Sequence, residues 1–177
     1  MSRLMNRRAI VALSALATLF TATVGPVVAT GGPLPRELQA VRAAVAKYHS
    51  YDEALAAGYG TGNEPCVASP AGTMGIHAPN PALIRSGAIE PLRPQILLYV
   101  PRENGSLKLV GVEYFKVDAD QNLATDGDRP FLFGRGFEGP MPGHNPSMPI
   151  HYDLHVWVAA HNPNGVFAMF NPDLRCW

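Results

Sequence analysis

Apolar residues recur at helical spacing near the start of this chain and at strand spacing further along it. In residues 35–48, Leu38, Val41, Val45 and Tyr48 form one stripe, with Arg36, Glu37, Arg42 and Lys47 largely outside it. That pattern predicts an amphipathic helix, with Pro35 suited to its first turn. Ser50 to Glu53 matches a capping box and predicts a second, short helix, which Gly58 would close. Residues 95–100 read as an apolar strand. Asn104-Gly105 reads as a hairpin turn, and residues 107–117 as the returning strand. A third strand is expected over 150–159 and a fourth over 166–170, joined by the turn Asn162-Pro-Asn-Gly165. Residues 60–94 are rich in Gly, Pro, Ser and Asn, which predicts irregular chain with one helical turn near 82–85. Residues 118–149 read as a second long loop. The expected fold class is α+β: N-terminal helices packed on a small antiparallel β-sheet, with long Gly/Pro-rich loops.

The segment Met148-Pro-Ile-His-Tyr-Asp-Leu-His-Val-Trp-Val158 carries the most chemistry. As a strand it turns Ile150, Tyr152, Leu154, Val156 and Val158 one way and His151, Asp153, His155 and Trp157 the other. Cα atoms two residues apart lie about 6.5 Å apart, so His151 with Asp153, or Asp153 with His155, would share an ion. Four residues span about 13 Å, too far for His151 and His155 to do so without a bulge. Asp153 would alternatively orient one imidazole and fix its tautomer. A solvated polar face remains the plain alternative.

Two further residues extend this half-site. Along 107–117 one face carries Leu107, Leu109, Gly111, Glu113, Phe115 and Val117. Glu113 would stand alone among apolar neighbours, where a carboxylate is paired, metal-bound or shifted in pKa, unless it lies at an edge and reaches water. His77, in the Gly-rich run Gly72 to Asn80, would be dropped into a sheet-borne site from a loop, or would simply cap it. Two weaker patterns stand beside these. Met141, His144, Met148 and His151 are soft ligands of the kind that hold copper, or the methionines merely cover the core. Asp118-Ala-Asp-Gln-Asn122 begins like a calcium loop, but Leu123 replaces the glycine and Arg129 the final glutamate, so it is no EF-hand. Nucleophile elbows, phosphate loops, zincin helices and CxxC motifs are absent from the sequence.

Composition narrows the rest. Arg3, Arg7 and Arg8 precede an apolar run over residues 9–24, and Val27-Val28-Ala29 fits signal cleavage. Residues 1–29 therefore read as a signal peptide and 30–177 as a single secreted domain with no membrane span. Export would use general secretion, or the twin-arginine route that Arg7-Arg8 allows. Net charge is zero and no basic stripe occurs, which argues against nucleic acid as a partner. Cys66 and Cys176 are the only cysteines, and in an exported chain they are expected to form a disulfide.

The segments Met74 to His77, Glu113 to Phe115, Gly134 to Phe137, Gly139 to Pro146, Met148 to Trp157 and Phe170 to Pro172 resemble a family of uncharacterised secreted bacterial proteins. Its signature is Gly-His-x-Pro followed by Met-Pro-x-His-Tyr-Asp-Leu-His-Val-Trp. That resemblance implies secretion and no particular reaction. Taken together, the expectation is a secreted protein binding Zn, Cu or Fe through ligands drawn from His77, Glu113, His151, Asp153 and His155. The rival is a non-catalytic module holding a small apolar ligand in an aromatic-lined cavity. A weaker third reading is a metal-free enzyme with a His–Asp base and Glu113 as acid.

Overall fold

The structure is a computed structural model that describes residues 33–60, 63–144 and 146–177. The expected signal peptide lies outside the described residues. The stripe on helix α1 (Arg36–Val45) buries Leu38, Val41 and Val45, and a 3₁₀ turn over Ala46–His49 continues it and buries Tyr48. The Ser50 hydroxyl accepts from the Glu53 N–H and starts α2 (Tyr51–Ala56). Gly58, at φ +86°, follows its end in the left-handed conformation that glycine adopts at least cost.

The remaining chain builds an antiparallel sheet. Its strands are β1 (Cys66–Ser69), β2 (Gly72–Pro79), β3 (Ile96–Pro101) and β4 (Leu107–Val117), then β7 (Glu138–Met141) and β8 (His151–Val156), in the order β1-β2-β3-β4-β8-β7. Short strands β5 (Phe131–Leu132) and β6 (Arg135–Gly136) form a separate ribbon, and α3 (Pro81–Ser86) links β2 to β3. Asn80 caps α3, accepting from the N–H groups of Ala82 and Leu83. The architecture is thus mixed α and β. No helix among the described residues is long and apolar enough to cross a membrane.

The two faces of the sheet carry separate apolar clusters. On one, Leu38, Val41 and Val45 of α1 meet Leu97, Tyr99, Val112, Tyr114, Tyr152, Leu154 and Val156. Each such side chain contributes roughly 1.5–3 kcal/mol when fully buried. The Tyr99 hydroxyl donates to the Tyr48 carbonyl at 2.6 Å, so helix and sheet are also joined by a buried polar contact. The opposite face holds a smaller cluster of Ile96, Leu98, Val110, Phe115 and Trp157. Alternation along β8 divides as its sequence predicts: Tyr152, Leu154 and Val156 lie in the first cluster and Trp157 in the second.

Four expectations need correction. Residues 118–149 are not one long loop, because they contain β5, β6 and β7, and β7 pairs with β8 in the main sheet. Residues 60–94 are not mostly irregular, because they contain β1 and β2, and His77 therefore sits on a strand rather than a loop. Glycine-rich composition hid β2; the pairing of residues 76–79 with the apolar β3 overrides its poor propensity. Gly75, at φ +101°, is needed because a Cβ there would stand 2.4 Å from the Tyr99 carbonyl oxygen. Residues 166–170 are not a strand. They strap the end of β8 through turns, with the Trp157 N–H donating to the Val166 carbonyl at 2.9 Å, and only Asn171 beyond them bridges to Thr73. Finally, Leu107 and Leu109 do not share a face with Glu113. Leu98 pairs with Gly111 but Tyr99 pairs with Leu109, so Val110 is an extra residue that bulges and reverses the pleat.

Cys66 and Cys176 are joined by a disulfide with Cα atoms 5.7 Å apart, pinning the C-terminal strap to edge strand β1 across a separation of 110 residues. The Thr73 hydroxyl reinforces it by donating to the Leu174 carbonyl at 3.0 Å. Replacing both cysteines by alanine should lower unfolding free energy by roughly 2–5 kcal/mol in denaturant titrations, as for other native bridges in small exported domains. Gly75→Ala should cost about 2 kcal/mol or more, since both the φ angle and the Tyr99 carbonyl oppose it. A variant as stable as the parent would show that β2 can shift there freely.

Candidate metal centre

Three strands deliver one cluster to the face of the sheet opposite α1. Glu113 on β4 lies directly across from His155 on β8 and, on its other side, from Ile96 on β3. His77 on β2 pairs with Leu98 of β3, two residues along from Pro79, which holds that row. The His77 Nε2 lies 3.1 Å from Glu113 Oε2, and the His155 Nε2 lies 3.5 Å from the same oxygen. The two imidazoles stand nearly perpendicular, with ring centroids 5.7 Å apart. One ligand atom from each of His77, Glu113 and His155 falls within 4.8 Å of the others, so this group could hold a metal ion.

The environment is almost dry. Glu113 is 3% exposed and His155 is 2% exposed. Among them only His77 keeps a substantial opening, with its side chain 23% exposed. Close as the contacts are, Glu113 Oε2 and both nitrogens of His155 are buried with no hydrogen-bond partner. Orphaned buried acceptors of this kind are costly unless something else satisfies them.

The other predicted residues take different places. Asp153 stands behind His155, its Oδ1 3.5 Å from Nδ1, on the side away from Glu113. That is the position of a carboxylate that orients an imidazole rather than one that shares its ion. His151 does not join the group. It is fully buried, stacks on Phe115 at 4.8 Å, and directs Nδ1 to within 3.0 Å of the Pro149 carbonyl oxygen. The His144 ring meets it edge-on at 5.6 Å, and the His144 N–H donates to the Met148 sulfur at 3.4 Å. The acidic run serves its own loop: Asp118 accepts from the Asn122 N–H, and Asp128 from the Ala119 N–H and the Tyr152 hydroxyl.

His77 and Glu113 also line a cavity of about 430 Å³. Its walls include Ile84 of α3, Ile96, Phe115, Val117 and Met148, with His144 and Glu64 as further polar members. Apolar periodicity does not reveal these walls, because α3 contributes only Ile84 and the proline-bound segment 148–149 only Met148 and Pro149.

No protein-family model, no curated protein and no solved structure matches this chain.

Charge in the cluster is set by competition. Burial alone would raise the Glu113 carboxyl, but the adjacent imidazoles of His155 and His77 outweigh it and bring its pKa below the usual 4.5. Burial would lower His155, but the Glu113 carboxylate, helped by Asp153, lifts it above the usual 6.5. In the metal-free protein, the lowered Glu113 adds stability that is complete above its ordinary pKa and is lost as pH falls through the folded value. The raised His155 adds stability that is complete below its ordinary pKa and is lost as pH rises through the folded value. Melting temperature of the metal-free chain should therefore peak between the two and decline on both sides. Glu113→Gln should flatten the alkaline decline; a variant profile parallel to the parent's would show that this pair does not govern it.

Proposed function

We propose that this is a secreted, single-domain metal-binding protein, exported on residues 1–29, whose ligands are His77, Glu113 and His155. The observation that carries the reading is the convergence of Glu113 Oε2 and the His155 Nε2, both buried and without a hydrogen bond, with the His77 Nε2 at the cavity wall. A set of two imidazoles and one carboxylate suits Zn²⁺, copper or non-haem iron. Asp153 would fix the His155 tautomer so that Nε2 presents its lone pair. The disulfide and the lack of any membrane-crossing helix among the described residues are compatible with life outside the cytoplasm. A metal held there would act as a Lewis acid on an oxygen ligand entering from the cavity.

Calorimetric titration of metal-free protein with Zn²⁺, Co²⁺ and Cu²⁺ should give one ion per chain. Glu113→Gln and His155→Ala should each weaken binding at least a hundredfold, and Asp153→Asn by about 10–100-fold. Affinity should rise with pH as His155 loses its proton. If folded Glu113→Gln and His155→Ala both bind like the parent, the site is elsewhere. The cavity favours a second reading, a metal-free module for small apolar molecules in which Glu113 and His77 are polar anchors. Retention of such a molecule by metal-free protein distinguishes it.

A further inference from the structure

We infer that the 430 Å³ cavity is a binding chamber for a small apolar monoanion whose oxygen head group coordinates the metal beside His77 and Glu113. The inference rests on the metal reading and adds the ligand's class. Charge supports it first. Within the directly ligating set, two neutral imidazoles and one carboxylate leave a divalent ion one positive charge in excess, and Asp153, 3.5 Å from the far nitrogen of His155, offsets it only from behind the ring. A single anionic oxygen group cancels it. A second wall carboxylate, Glu64, is not one of the three residues whose ligand atoms lie within 4.8 Å of one another, so it stands outside the ligand set.

Wall chemistry supports it next. His144 and Glu64 are polar members of the wall, but the larger part of it, Ile84, Ile96, Phe115, Val117 and Met148, offers nothing that donates or accepts a strong hydrogen bond. A sugar or peptide would leave its polar groups unpaired against them, whereas an alkyl or aryl tail would not. Size sets the last limit. At roughly 30 Å³ per non-hydrogen atom, taking water's share of liquid volume, the chamber holds on the order of a dozen such atoms. A medium-chain carboxylate such as decanoate fits all three conditions.

Cobalt-loaded protein tests this, because coordination by an added oxygen alters the visible Co²⁺ spectrum whatever the protein's activity. Decanoate should change that spectrum and bind at least 100-fold more tightly than acetate, since each buried CH₂ is worth about fourfold. Decylamine, with the same tail and a cationic head, should leave the spectrum unchanged. Ile84→Asn should weaken decanoate at least tenfold while cobalt affinity and acetate binding stay as in the parent. Val117→Asn, at the partly exposed rim of the wall, serves the same purpose if Ile84→Asn does not fold. Cobalt uptake with decanoate binding no better than acetate would overturn the inference. So would decanoate binding without spectral change, or equal binding to metal-free protein. Failure to take up cobalt at all would overturn the metal reading and this inference with it.

Discussion

A carboxylate set in the middle of a sheet and shut away from water has to be compensated where it stands. Glu113 is that carboxylate. Taking an ionised group out of water costs several kcal/mol even after relaxation, so its neighbours cannot be indifferent to it. The structure answers with two imidazoles, one directly opposite on β8 and one diagonal on β2. The answer is incomplete by hydrogen-bond geometry, since Glu113 Oε2 and the His155 nitrogens remain orphaned. Protons shared between these groups, or a cation among them, are the two ways the charge can close. That single requirement links the pleat of three strands, the burial of His155 and the placement of Asp153 behind it.

The fold divides its labour between the two sides of the sheet. Helix α1 and its 3₁₀ extension cover one side with the larger apolar cluster, which can supply most of the stability without involving a carboxylate or an imidazole. The other side is covered thinly, by α3, the 148–149 segment and the C-terminal strap. Thin cover is what leaves room for a cavity against polar residues. It also explains why the disulfide falls on this part of the chain. Edge strand β1 and the strap have little core of their own, and Cys66–Cys176 holds them together where apolar burial does not.

Legibility in the sequence followed the strength of local patterns. Along β8 the alternation of apolar residues with His151, Asp153 and His155 is uninterrupted, and its two faces were readable without a structure. The stripe Leu38, Val41, Val45 was equally plain. Glu113 is legible as a charge among apolar neighbours, but Leu107 and Leu109 are not on its face, because a bulge has no signature in apolar periodicity. The sequence marks His77 as a candidate ligand but not the strand that carries it. Glycine and proline in Gly72 to Pro79 mimic irregular chain, and only pairing with β3 reveals the strand. Residues 166–170 failed the other way: apolar side chains suggested a strand, yet turns at Gly165 and beyond bend the segment over Trp157 instead. The convergence of His77 with Glu113 and His155 depends on the order β2-β3-β4-β8, which is a property of the whole chain and of no local window.

The extra residue at Val110 has a meaning beyond local geometry. It acts as a phase slip in β4: before it the odd-numbered Leu107 and Leu109 face the helices, and after it the even-numbered Val112 and Tyr114 do. A change of one residue in length within the β3–β4 turn can be absorbed at that slip without rotating Glu113 away from His155. The same change between Val110 and Glu113 has no such relief, and would carry the carboxylate into the helix layer among Leu38, Val41 and Tyr99. The strand therefore tolerates editing on one side of a single position and forbids it on the other.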